Sequence, residues 1–322
     1  MEELFKLGEE ILEGKRGLEE LSAYPEEVKE RRPVKNPFKR AALIVSADRL
    51  NHVKKALSRE ADVVIFNLED GVSSKRKPFA RLFLRKFLAN TPLTGEKEVI
   101  VRVNPMDSPY FWEDITQILP ALPHGIRLSK VKTPKEVAAL DSLITAFEKG
   151  KNVPEGFIKI QLSIESPEAV VNLPEILKAS KRINAAYLGI LDLFAGLNVS
   201  QRLTGGRLGN YVRERFALEC RAFGIHPIAP AYQEYKDIEG FKEEALKERE
   251  MGFSGKMAIS VTQARLAMEL FSPPKEEIEE AKEIVELYEE ALKEGIGGIT
   301  FKGKFIDEPI YKDALNKLRF SL

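Results

Sequence analysis

Three acidic residues in this chain each close a run of apolar residues. Glu69 ends Val-Val-Ile-Phe-Asn-Leu-Glu (63–69), Glu165 ends Ile-Gln-Leu-Ser-Ile-Glu (160–165), and Asp192 ends Tyr-Leu-Gly-Ile-Leu-Asp (187–192). Runs of this length, bounded by polar residues, read as strands buried on both faces, as in a parallel sheet. Carboxylates converging at the ends of parallel strands form a nest for a hard divalent cation. Other polar residues stand at equivalent boundaries: Asp70 beside Glu69, Arg102 and Asn104 near the end of 98–103, Lys130 at the end of 126–130, and Ser260 at the end of 255–260. Carboxylates for a metal, a fixed cation and polar donors together suit chemistry on an anionic substrate. The competing reading is that these charges only pair with one another, as buried charges often do.

Placing those residues requires strands that alternate with helices. Strand-like runs fall at 41–46, 62–68, 98–103, 126–130, 157–164, 184–190, 225–229 and 255–260. Helical patterns fill the gaps at 50–59, 75–89, 111–119, 134–149, 167–180, 209–223, 239–251 and 262–270. Eight β/α units predict a closed (β/α)₈ TIM barrel, with a doubly wound open sheet as the competing architecture. Pro134 and Pro167 fall at first helical turns, where proline is tolerated. Residues 1–36 read as a charged helical extension ended by Arg-Arg-Pro-Val-Lys-Asn-Pro, and residues 37–272 as the barrel. Residues 273–322 read as a C-terminal helical and loop extension. Its long charged helix over 275–294 keeps Ile278, Ala281, Ile284, Val285, Tyr288 and Leu292 at helical spacing. A hairpin-like segment from Gly297 to Pro309 and a last helix from about 309 follow.

Composition sets outer limits. A chain of 322 residues suffices for one large barrel with additions. Lys+Arg and Asp+Glu balance at 50 each, which gives no reason to expect nucleic acid or an anionic membrane as a partner. No run of about 18 apolar residues occurs, so no membrane span is expected. The acidic, amphipathic N-terminus is unlike a secretory or transit peptide, and the expected location is cytoplasmic. The single Cys220 excludes an intrachain disulfide and reads as a small buried hydrophobe on a helix. There is no Walker loop and no Gly-x-Gly-x-x-Gly between a strand and a helix. His52, His124 and His226 are scattered, so zinc is not expected. The oxygen-only pair Glu165 and Asp192 suits Mg²⁺, which keeps several waters and takes remaining ligands from the substrate.

From about Arg40 onward the chain resembles the citrate lyase β-subunit family and its relatives, the malyl-CoA and citramalyl-CoA lyases, within the HpcH/HpaI aldolase superfamily. The resemblance rests on Arg40-Ala-Ala-Leu-Ile-Val, Phe66-Asn-Leu-Glu-Asp-Gly-Val72, Val101-Arg-Val-Asn104, Ser129-Lys-Val131, Ile164-Glu165 and Gly189-Ile-Leu-Asp192. Gly252-Phe-Ser-Gly-Lys256, Phe271-Ser-Pro273 and Gly303-Lys-Phe-Ile-Asp-Glu-Pro309 extend it. It implies a lyase that cleaves a 3-hydroxyacyl-CoA or acyl-carrier thioester into acetyl-CoA and a 2-oxo acid, or runs in reverse. Glu165 and Asp192 match the family's Mg²⁺ ligands, and Arg102 matches the arginine on the substrate carboxylate. Asp307 matches an acid/base aspartate expected to serve a neighbouring subunit, which implies a homotrimer or hexamer. Lys55 matches a lysine on the coenzyme A side, where Ser260 is also expected, with Glu69, Asp70, Asn104 and Lys130 in support.

Several positions depart from the family pattern. Val45-Ser46-Ala47 replaces Val-Pro-Gly, Asn67 replaces an aspartate, and Lys132 replaces a glutamate. Ile259-Ser260-Val261 replaces Ile-His-Pro, and Asn51 stands where a lysine is expected. The metal core is therefore kept while the rim facing the thioester is altered. Three alternatives remain open at this stage: a class II aldolase acting on a free hydroxy-oxo acid, a Schiff-base aldolase through Lys130, and a non-catalytic subunit of a lyase complex.

Overall fold

The computed structural model describes residues 1–321. The apolar runs become eight parallel strands: β1 (Ala41–Ser46), β2 (Val63–Asn67), β3 (Glu98–Val103), β4 (Gly125–Leu128), β5 (Lys159–Ile164), β6 (Ile183–Leu188), β7 (His226–Ala229) and β8 (Gly255–Ala258). They pair in sequential order, and β1 closes on β8 with Ala42 opposite Met257. The sheet is a closed (β/α)₈ barrel, not an open one. β2 is buried along its whole length, as a strand sheathed by helices must be. Below the mouth the barrel is filled by Ala42, Val63, Ile65, Ile100, Ala185, Tyr187 and Ile228. Each large apolar side chain there contributes about 1.5–3 kcal/mol by leaving water.

Two helical expectations change. The pattern at 167–180 forms two short helices, Pro167–Val171 and Leu173–Lys178, because Pro174 has no N–H to continue the ladder. β6 stops at Leu188, and Ile190–Gly196 is a short helix that carries Asp192 in its first turn. The run Ile-Leu-Asp-Leu-Phe hides that helix, because its apolar residues continue those of the strand.

The first 36 residues are less helical than their charge pattern implies. Only Glu2–Leu12 and Leu18–Ala23 are helices. Phe5 packs edge-on against Phe83 and Phe87, at 5.3 and 5.8 Å between ring centroids. The proline-bearing stretch runs as a strap beside residues 89–95: the N–H groups of Lys29, Arg32 and Lys35 donate to the carbonyls of Ala89, Leu93 and Gly95. The Arg31 guanidinium donates to the carbonyls of Leu88, Thr91 and Ala121, satisfying acceptors that two helical ends leave open.

The chain forms two compact units, Met1–Met268 and a second from Glu269. The second unit comprises helix Lys275–Lys293, the antiparallel pair β9 (Ile299–Phe301) and β10 (Lys304–Ile306), and helix Glu308–Leu318. Its own core gathers Ile284, Tyr288, Phe301, Ile306 and Ala314, with Tyr288 stacked on Tyr311 at 4.8 Å.

Candidate active site

Strand register brings the mouth residues together. Asn67 of β2 lies opposite Arg102 of β3, so the chain leaving β2 carries Glu69 to the arginine. Nη2 of Arg102 stands 3.1 Å from Glu69 Oε2 and donates to Glu165 Oε1 at 2.9 Å. Its Nε donates to Ser129 Oγ at 3.0 Å, and that hydroxyl donates to the Val103 carbonyl at 2.7 Å. Nη1, the remaining guanidinium nitrogen, makes no hydrogen bond among the described residues. Lys130 follows β4 with φ of 50°, a left-handed conformation that costs a side-chain-bearing residue on the order of 1 kcal/mol. Its ammonium lies 3.0 Å from Glu69 Oε1 and donates to Asp70 Oδ2 at 2.8 Å.

The electrostatics follow from this packing. Burial pushes the Glu69 carboxyl above its ordinary range, against the pull of Arg102. Burial alone would lower the Lys130 ammonium, but hydrogen bonds to Asp70 and Glu69 win and hold it well above its usual value. Burial likewise opposes ionisation of Asp70, yet the bond from Lys130 holds that carboxyl below its ordinary range. Lys130 is thus held charged, which is wrong for a Schiff-base nucleophile.

Glu165 and Asp192 approach through Gly189. A Cβ there would meet Glu165 Cγ at 2.4 Å, so the glutamate side chain lies across bare backbone. The helix launched at Ile190 then presents Asp192 at the exposed rim. Partial burial, followed by the charge of Glu165, pushes the Asp192 carboxyl up. Glu165 is 5% exposed, and its Oε2 is buried without any hydrogen-bond partner. An orphaned carboxylate oxygen beside a second repelled carboxylate is what a hard cation would relieve. Among the described residues no group of three or more His, Cys, Asp or Glu is arranged to hold a metal. Glu165 and Asp192 could offer two carboxylates, a set that suits Mg²⁺ with its retained waters better than a closed zinc cage.

Sequence reasoning missed the residues beneath this cluster. Lys77 is buried and donates to the carbonyls of Leu68 and Glu69 and to Asn104 Oδ1, at 2.7, 3.0 and 2.8 Å. Asn104 is held in turn by Asp114, which also accepts from Arg81. This clamp ties the end of β2 to the end of β3. Its signal was the buried stripe Lys77, Ala80, Arg81, Leu84 and Leu88, at helical spacing, which the basic start of the helix disguises. Arg127 is fully buried within the barrel, donating to Ser163 Oγ at 2.8 Å and stacked 3.8 Å over the Tyr187 ring. Burial lowers it to about 9, so it stays charged at neutral pH.

Four of the departing positions have local partners. Ser46 and Asn67 are register neighbours. Ser46 Oγ donates to the Gly71 carbonyl at 2.6 Å, and Asn67 Oδ1 accepts the Glu69 N–H at 3.2 Å, so together they fix the Glu69 turn. Lys132 pairs with Asp107 at 3.2 Å. Lys55 and Ser260 line one cavity of about 390 Å³ with Asn51, His52, Arg59 and Val261, walled by Leu43–Val45 and Ile259. Ser260 Oγ also accepts the Gln263 N–H, as a helix cap does. Asp307 belongs to the second unit, where it occupies the N-cap of helix Glu308–Leu318 without a side-chain capping bond.

Fold and mouth together are those of a (β/α)₈-barrel enzyme. Residues 40–261 match the family described as HpcH/HpaI aldolase/citrate lyase, and the chain belongs to that family. It is 33% identical over 273 residues to citrate lyase subunit beta of Haemophilus influenzae, covering 85% of this chain and 93% of that protein. It is 32% identical over 284 residues to L-malyl-CoA/beta-methylmalyl-CoA lyase of Cereibacter sphaeroides, covering 81% and 87% respectively. Among solved structures it is similar to CitE of Mycobacterium tuberculosis in complex with magnesium, acetoacetate and coenzyme A. That likeness has a TM-score of 0.69 and 26% identity, and covers 88% of this chain and 98% of the other. No helix of the described residues is long and apolar enough to cross a membrane.

Proposed function

We propose that the chain is a Mg²⁺-dependent carbon–carbon lyase that cleaves or forms a 3-hydroxyacyl-CoA thioester of the citryl-, malyl- or citramalyl-CoA type. The observation that carries this reading is the orphaned Glu165 Oε2 beside Asp192, with the open Arg102 Nη1 belonging to the same cluster. Glu165 and Asp192 would hold the ion, which when bound polarises the carbonyl of the 2-oxo acid. Arg102 orients the oxo-acid carboxylate through Nη1. In cleavage the 3-hydroxyl proton passes to Asp307, the C2–C3 bond breaks, and its electron pair passes to the thioester as an enolate. Protonation at carbon then yields acetyl-CoA. Asp307, whose carboxylate is uncommitted, carries that proton in the site of an adjacent copy, within a homotrimer or hexamer. The cavity beside Lys55 and Ser260 takes the thioester arm: its walls are apolar, and Lys55 and Arg59 bring positive charge for phosphates.

The test is release of a 2-oxo acid and acetyl-CoA from citryl-, malyl- and citramalyl-CoA, with Mg²⁺ and with EDTA. Turnover of at least one thioester, lost in EDTA and in Glu165→Gln, is expected. Equal activity on the free hydroxy acids would favour the class II aldolase reading. Mixing Asp307→Asn with Glu165→Gln chains under subunit exchange should restore activity in part. No recovery despite proven exchange would remove Asp307 from a shared site.

A further inference from the structure

One wall of the cavity beside Lys55 is a helix too short to hold its own place. Helix Leu50–Ala56 has seven residues, and its N-cap, Arg49, makes no side-chain capping bond. A helix of about two turns is unstable alone, so packing decides where it sits. Its faces have different neighbours. Asn51, His52, Lys55 and Ala56 line the cavity. Leu50 and Lys54, one turn apart, meet the N-terminal helix Glu2–Leu12 instead.

The fit between these two helices is close. A Cβ at Gly8 would stand 3.0 Å from Leu50 Cδ1 and 2.9 Å from Phe83 Cε2. Glycine inside a helix costs about 0.5–1 kcal/mol relative to alanine, and here it lets Leu50 and Phe83 pack on bare backbone. Lys54 Nζ lies 5.6 Å from the centroid of the Phe5 ring, a cation–π contact. Phe5 is buried and rests in turn on Phe83 and Phe87. The N-terminal helix therefore ties helix Lys77–Ala89 to the cavity wall. It does so from outside residues 40–261, the stretch that matches the family.

We propose that helix Glu2–Leu12 is a positioning element for the thioester cavity. Through Gly8 and Phe5 it sets where helix Leu50–Ala56 presents Asn51, His52 and Lys55. Among the described residues none of its own side chains lines that cavity, so it acts on a ligand only through the wall. The inference rests on the reading above that this cavity takes the thioester arm. Arg102, Glu165 and Asp192 are carried by β3, by the chain after β5 and by helix Ile190–Gly196. The metal end of the site is therefore indifferent to a shift of helix Leu50–Ala56.

Calorimetric titration of the intact protein with coenzyme A and, separately, with Mg²⁺ tests this. Gly8→Leu makes Leu50 and Phe83 yield, and a ligand must then draw the wall back against that overpacking. Coenzyme A affinity is expected to fall by about tenfold in Gly8→Leu and about two- to threefold in Gly8→Ala. The Mg²⁺ constant should stay within about twofold of wild type. Gly8→Ala favours the helix itself, which keeps the measurement open if Gly8→Leu does not fold. Adding Leu50→Ala to Gly8→Leu returns room and should recover most of the lost affinity. For whichever thioester turns over, KM should rise while kcat holds. Unchanged coenzyme A affinity in the folded variants, or equal losses for coenzyme A and Mg²⁺, would overturn the inference and leave the lyase reading standing. Wild type that binds no coenzyme A would overturn the reading of the cavity, and this inference with it.

Discussion

Two buried charge clusters in the barrel unit are made of the same residue types and end differently. Around Lys256, which is fully buried, the ammonium donates to the Pro230 carbonyl, Glu244 and Glu248 at 2.8, 2.7 and 2.6 Å. The other Glu248 oxygen accepts from Arg213 Nε at 3.2 Å, and Arg213 also holds the Thr204 carbonyl. Three donors find three acceptors, and both Glu248 oxygens are covered. At the mouth, Glu165 Oε2 is buried without such a partner. A saturated network rigidifies a core, while an unmet polar atom in a low-dielectric site costs stability unless something completes it. The first cluster is a brace, and the second leaves a buried carboxylate oxygen unmet.

Cutting the two clusters should separate activity from stability. Glu165→Gln is expected to lower turnover by about 100- to 1000-fold or more. It should also abolish thermal stabilisation by Mg²⁺, with little change in the metal-free melting temperature. Near wild-type turnover with the same metal requirement would end the metal-site assignment. Lys256→Met leaves Glu248 buried without its ammonium and should cost about 3–5 kcal/mol, read as a lower urea midpoint. An unmoved midpoint would show that the brace carries no load.

Smaller changes at the mouth sharpen the contrast. Arg102→Lys keeps the charge but loses the fork that reaches Glu165, Glu69, Ser129 and a ligand together. A loss of roughly 10- to 100-fold in kcat/KM is expected, and mild kinetics would make Arg102 a purely structural ion-pair partner. Borohydride with substrate should trap no adduct on Lys130, because that amine is held protonated. Lys77→Met should lower kcat more than it raises KM for the oxo acid, because the clamp positions Glu69 and does not touch substrate. A large fall in melting temperature with unchanged kinetics would reduce Lys77 to a fold element.

The barrel was legible because apolar strand runs are dense and separated by turn and helix signals. β1 and β3 keep their expected limits. Local pattern fails where a contact is long-range. The strap at 29–35 has no periodicity, because its partners lie about 60 residues away at 89–95. Gly189 looks like an ordinary residue within an apolar run, and only the Glu165 side chain crossing it explains why a glycine stands there. Glu69 and Glu165 stand just past the ends of β2 and β5, a position generic to the barrel and legible from the apolar runs, whereas Asp192 rides on the helix that its own run hides. Arg127 sits mid-strand in Gly-Ile-Arg-Leu, where nothing local says that its guanidinium lies on Tyr187 inside the barrel.

The smallest expected effect bears directly on the unfinished cluster. The Asp192 carboxyl is pushed up, first by partial burial and then by Glu165, so its folded-state pKa lies above its unfolded one. For an acid, that shift means the ionised form is held at a cost in the folded protein at neutral pH. The cost is relieved as pH falls through the folded pKa. Asp192→Asn should therefore melt slightly higher than wild type in EDTA at neutral pH, by about 1 °C, since solvent screens an exposed rim residue. The gap should close in acid, where the wild-type carboxyl is protonated in both states. With Mg²⁺ the order should reverse, because wild type gains a ligand-linked increment that the variant lacks. A variant that shows no rise in EDTA and keeps the full Mg²⁺ shift would place Asp192 outside the metal site, leaving Glu165 Oε2 to be completed by something else.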